Sequence, residues 1–298
     1  PTIKILDRML HNSVSVMGTL GLERGIAEYP LYSHTEVDEL LRKMYGMDFG
    51  EEFAPSWNSP FRVSLHPAGH VLGGASVMVK APGHTLFYTG DICMSNQELM
   101  TAFAPLPAGL QVDTLAIECT RAAMDLTGRP TYEEEIMRLG REITRVLKLN
   151  GCVLIPSFAL GRTQELLNII ARLQESGAVP AVPVYASGLG RAIYEIYARH
   201  EHFLRPGSTV RPLSQFKRIG DVWERAVTRE LLRKPCIIVA TSGMMIENTP
   251  SAMIAQEMVR DKRHGVFFVG YLDPDTLGYK VLHAKPGDAL PFDLAGRP

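Results

Sequence analysis

His66 and His70 stand four residues apart in LHPAGHVLGGA (65–75). Pro67 and Gly69 forbid a helix there, so the two imidazoles are expected on a loop rather than on one helical face. Asp91 closes the run TLFYTGD (85–91). Imidazole and carboxylate together suit zinc, iron or manganese, although two ligands do not make a site. The same residues also read as a turn-bonded loop histidine and a Gly-Asp that caps a strand. Glu118, at the end of VDTLAIE (112–118), is either a strand-terminal cap or a site acid.

A second set of residues points to anions. IPSFALGR (155–162), VYASGLGR (184–191) and VATSGMM (239–245) each place a serine at the end of an apolar run. Where a helix follows, Ser157, Ser187 and Ser242 are expected to N-cap it. A helix N-terminus with Arg162 or Arg191 beside it suits a phosphate.

The elements that must hold these residues differ between the two halves. FRVSL (61–65), ASVMVKA (75–81), TLFYTGD (85–91) and VDTLAIE (112–118) read as strands, the last of them buried. Pro82-Gly83 predicts an antiparallel hairpin in which residue numbers summing to about 166 face each other. That register brings Asp91 near Ala75, at the end of the hairpin that carries the His70 loop. Upstream, Ser33 with Glu36 makes a capping box for a helix to about Tyr45. Downstream, Thr131 with Glu134 starts a helix with Ile136, Leu139, Ile143, Val146 and Leu147 on one face, and Gly151 stops it. Strands at 152–156, 183–187, 236–240 and 266–271 then alternate with helices on Leu166–Ile170, on Ile193–Ile196, near 217–233 and near 250–260. Apolar strands alternating with amphipathic helices predict an α/β fold with a mainly parallel, Rossmann-like sheet covered on both faces. No G-x-G-x-x-G follows a strand, which disfavours a nicotinamide site.

Composition narrows the function further. With 298 residues there is room for about two domains. A 46% hydrophobic content excludes disorder as the main state. Lys+Arg 31 against Asp+Glu 32 excludes a generally basic grip on duplex DNA but leaves room for a local basic cleft. No apolar run approaches the roughly 18 residues a membrane helix needs, so no membrane partner is expected. Cys93, Cys119, Cys152 and Cys236 form no C-x-x-C and are expected as buried, reduced thiols of a cytoplasmic protein. Pro1 is not an initiator methionine, and no signal peptide opens the chain.

PAGHVLGGA with YTGDI, an acid at a strand end and then IPSFALGRTQELL resemble, in that order, the β-CASP branch of the metallo-β-lactamase fold. That branch holds nucleic-acid-processing hydrolases such as ribonuclease J and the mRNA 3′-end cleavage endonuclease. The resemblance implies a partial metallo-β-lactamase αββα domain over 1–122 and a β-CASP domain over 123–298. It implies His70 and Asp91 as ligands in a two-zinc centre of the complete protein. It makes Glu118 the acid that orients a catalytic histidine, and sets Ser157, Arg162, Ser242 and Gly243 along a phosphate path. The implied activity is phosphodiester hydrolysis on RNA or another single-stranded nucleic acid, and a homo-oligomer is compatible with it. The His-x-His-x-Asp-His motif and the later histidine motifs of the family are absent. The chain therefore reads as a fragment that is expected not to turn over by itself. Two departures are internal: CTRA follows Glu118 where the family has Ser-Thr-Tyr-Gly, and Pro274, Asp275 and Tyr279 replace a glycine- and arginine-containing segment. They keep a small ester or phosphate substrate, or a non-catalytic scaffold, as alternatives.

Overall fold

The structure is a computed structural model that describes residues 1–290 except 105, 107, 108, 126 and 286. It divides into two compact units, residues 1–129 with 199–208, and residues 130–198 with 209–298.

The first unit opens with α1 (Thr2–Arg24) and α2 (His34–Arg42). Sequence patterning does not reveal α1, because it buries only Ile5 and Val14 and so lacks a clear apolar stripe. The capping box on α2 forms as expected, with Ser33 accepting from the Glu36 N–H and Glu36 reaching back to the Ser33 N–H at 2.8 Å. The strands are β1 (Glu52–Phe53), β2 (Arg62–Pro67), β3 (Ala75–Ala81), β4 (His84–Tyr88) and β5 (Thr114–Ala116), which lie side by side in chain order. All pair antiparallel except β4 with β5. Two expectations fail here. His66 belongs to β2, not to a loop. The strand that leads to Glu118 is not buried: Leu115 and Ile117 are 57% and 58% exposed, and β5 is a three-residue strand at the edge of its sheet.

The second unit runs α3 (Tyr132–Lys148), β6 (Val153–Pro156), α4 (Arg162–Glu175), β7 (Val184–Ala186), α5 (Gly188–Arg199), β8 (Phe216–Arg218), α6 (Arg225–Leu231), β9 (Ile237–Ala240), α7 (Pro250–Met258), β10 (Gly265–Val266) and α8 (Leu277–His283). The five strands pair in parallel in the order β10-β6-β9-β7-β8. Successive side chains serve opposite faces, as the pleat requires. Val153, Ile155, Ile237 and Val239 join a core with residues of α3 and α4. Cys152, Leu154, Ile238 and Ala240 join a separate core with residues of α7. The covered parallel sheet is thus present.

Three boundaries differ from expectation. Residues 216–218 form β8 rather than the start of a helix, because buried Phe216 pairs with Val184; α6 begins only at Arg225. The strand expected over 266–271 is reduced to Gly265–Val266. The break after α3 is made by Asn150 at φ 56, the left-handed geometry that asparagine tolerates, rather than by Gly151. The cysteines also split: Cys152 and Cys236 are buried, Cys93 is half-buried and Cys119 is exposed, and all four are free thiols. No helix among the described residues is long and apolar enough to cross a membrane.

Candidate functional site

In the first unit, the hairpin positions the histidine and aspartate loops. Met78 faces Phe87 and Val77 faces Tyr88, so facing numbers sum to 165, one less than expected. Residues beyond β4 therefore return toward the segment between β2 and β3. The backbone makes the approach explicit: the Cys93 N–H donates to Ala68 O at 3.1 Å, two residues from each candidate ligand. Gly69, at φ +72, allows a tight pass, since a β-carbon there would stand 2.4 Å from the Phe103 nitrogen. Buried Gln97 then fixes the loop, its amide donating to Gly69 O at 2.8 Å and to His70 O at 2.9 Å. Gln97 escaped sequence reasoning because a lone glutamine in an irregular stretch carries no periodic signal.

Glu118 joins the same end of the sheet. Its N–H donates to Thr89 Oγ1 at 3.2 Å, and its carboxylate accepts from the Thr120 N–H at 2.9 Å. The Thr120 bonds hold the carboxyl below the usual glutamate range; the Ile92 N–H and the charge of His70 add to that effect. The carboxylate thus lies beside the backbone that follows Asp91. The side chains of His70 and Asp91 are both exposed.

These residues do not by themselves fit a metal. Among the described residues, no group of three or more His, Cys, Asp or Glu is arranged to hold one. A catalytic zinc takes three protein ligands and a structural zinc takes four.

In the second unit, each serine does stand just past a strand end, but none uses its side chain as an N-cap. Ser157 is 1% exposed and bonds Thr163 Oγ1 at 2.5 Å. Gly161 takes the N-cap position of α4 and leaves it without a side-chain cap. Its first turn is not an open anion cradle: Arg162 N–H donates to Leu160 O, Thr163 N–H to Phe158 O and Glu165 N–H to Gly161 O. The Ser187 hydroxyl bonds Thr241, at 3.1 Å to its nitrogen and 3.3 Å to its oxygen. Ser242 Oγ accepts from the N–H groups of Met244 and Ile246 at 3.3 and 3.2 Å, while Thr249 occupies the N-cap position of α7. The prediction failed because a hydroxyl one to several residues before a helix found nearer partners in its own loop.

The arginines also differ. Arg191 donates to Phe216 O, and burial lowers its pKa from the usual arginine value. Arg162 makes no ion pair or side-chain hydrogen bond among the described residues. Gly243 is buried against Phe158, where a β-carbon would come within 2.9 Å of the ring.

The Beta-Casp domain family matches residues 163–281. The chain is 28% identical to the RNase J-like protein of Methanocaldococcus jannaschii over 84% of its own length and 58% of that relative. It is 31% identical to the transcription termination factor FttA of the same organism, over 84% of this chain and 40% of that protein. Residues 163–281 carry the β-CASP domain. A Neurospora crassa endoribonuclease, ysh-1, is 29% identical over 75% of this chain and 28% of its own length. The chain thus spans less than two thirds of the length of each of these relatives. Ser242 and Gly243 fall inside the matched β-CASP segment, and Ser157 and Arg162 just before it.

Proposed function

We propose that this chain is part of an RNA-processing nuclease that hydrolyses phosphodiester bonds in the cytoplasm. The observation that supports this most is that relatives named as an RNase J-like protein and an endoribonuclease match across both halves of the sequence. In this reading residues 1–122 are part of a metallo-β-lactamase domain and 123–298 are the β-CASP domain. RNA is the partner. His70 and Asp91 are the donors this chain contributes to a zinc centre whose other ligands come from beyond these residues. Glu118, held ionised by Thr120, positions a histidine partner rather than touching substrate. Arg162 and Ser242 offer donors to phosphate, because the Arg162 guanidinium is unpaired and the Ser242 hydroxyl only accepts among the described residues. Ser157 and Gly243 support that path from below as buried residues.

The test uses the protein at its natural full length on end-labelled single-stranded RNA, with wild type beside His70→Ala and Glu118→Gln. Cleavage lost in both variants, with zinc content reduced only in His70→Ala, is the expected result. Equal cleavage by wild type and His70→Ala overturns the assignment.

A further inference from the structure

An exposed phenylalanine is ordinary; a fixed one is not. Phe158 lies two residues past β6, at the carboxyl end of the parallel sheet, where open α/β sheets form their ligand crevice. It is 39% exposed. Yet its carbonyl accepts three donors: the Thr163 N–H at 3.2 Å, Thr163 Oγ1 at 2.7 Å and Ser157 Oγ at 3.4 Å. Its ring is held as well. Cδ2 and Cε2 lie 2.9 and 3.1 Å from where a Gly243 β-carbon would sit, and Cε2 lies 3.3 Å from the same point on Gly270. Two glycines therefore form a bed on which one edge of the ring rests, and any side chain at Gly243 would displace it.

The surroundings indicate what such a ring is for. Gly243 follows Ser242, whose hydroxyl hydrogen has no acceptor among the described residues. Arg162, four residues beyond Phe158, has no ion pair or side-chain hydrogen bond among the described residues. An apolar ring with groups able to donate to phosphate close in the chain, one four residues on and one next to its Gly243 contact, matches a single-stranded nucleic acid, which presents a π-face and an anion in every residue. A ring already ordered by its neighbours loses little conformational freedom when a base lands on it.

We propose that Phe158 is a stacking platform for a base of single-stranded RNA. The proposal rests on the reading of this chain as part of an RNA-processing protein, and it adds a base contact to the phosphate contacts suggested there.

The experiment measures binding at full length by fluorescence anisotropy with two probes, a labelled oligoadenylate and an abasic oligomer of equal length. Wild type, Phe158→Leu and Phe158→Trp are compared, with thermal melting to confirm folding. Phe158→Leu is expected to weaken oligoadenylate binding roughly five- to hundredfold. Phe158→Trp keeps it, and abasic binding is unchanged in both variants. If wild type binds neither probe, the RNA reading falls and this proposal falls with it. If wild type binds oligoadenylate and Phe158→Leu binds it equally well, only the stacking platform is overturned. If both variants lose both probes together with melting temperature, the ring is packing alone, which also overturns the platform.

Discussion

The carbonyl oxygen of Arg263 stands 1.9 Å from where a β-carbon on Gly151 would sit. The approach is closed by neighbouring bonds: the Cys152 N–H donates to His264 Nδ1 at 2.9 Å, and the Gly265 N–H to Cys152 O at 3.0 Å. Gly151→Ala must push the 263–265 segment away and loosen β10 from β6. We expect a loss of about 1–3 kcal/mol, the usual cost of overpacking. Urea unfolding of wild type and variant reads it directly, and an unchanged midpoint contradicts it.

The bond from Cys152 also makes a pH prediction. Nδ1 of His264 accepts, so the ring must be unprotonated there; burial lowers the pKa, with Arg263 adding to the effect and Asp261 opposing it. A histidine whose folded pKa is depressed contributes stability above its unfolded value of about 6.5, and that contribution is lost as pH falls through the folded value. The melting-temperature gap between wild type and His264→Gln should therefore be widest above about pH 7 and narrow toward pH 5. A gap independent of pH would remove the ring's protonation from the account.

Gln97 offers a test of the histidine loop. Gln97→Met keeps the volume but leaves Gly69 O and His70 O without their donor. Unsatisfied buried carbonyls cost about 1–3 kcal/mol. Amide exchange over residues 69–71 should accelerate before the rest of the first unit responds. Protection unchanged in that loop means the two bonds do not hold it.

The bare face of β5 leads to the reverse expectation. Leu115 and Ile117 are more than half exposed. Replacing both with lysine should change the stability of the isolated chain by less than about 0.5 kcal/mol per site while raising its solubility limit. A large drop in unfolding free energy would reveal that this face is packed in solution.

What could be read from the sequence followed from periodicity. The apolar face of α3, the two capping boxes and the β3–β4 hairpin all announce themselves through spacing or paired residues close in the chain. The parallel sheet follows from strands that are apolar throughout, as Val153–Pro156 is. What could not be read depends on partners distant in sequence. Helix α1 hides because it buries so little, and β8 depends on Val184, 32 residues before Phe216. In the candidate site, His70, Asp91 and Glu118 stood out by residue type. Gln97 and Phe158 did not, since their roles come from bonds and glycine contacts that no local pattern encodes. The serines were visible, but their side-chain partners were not.

Both faces of β6 are greasy, so water cannot tell one from the other. A slip of one residue would swap the two cores without exposing a single apolar group. Alignment of this strand must then be enforced by shape and by what sits at its tips: the glycine that clears a carbonyl at one end, and the hydroxyl locked to Thr163 at the other. Changes at those tips should scramble pairing more readily than equal changes within the strand.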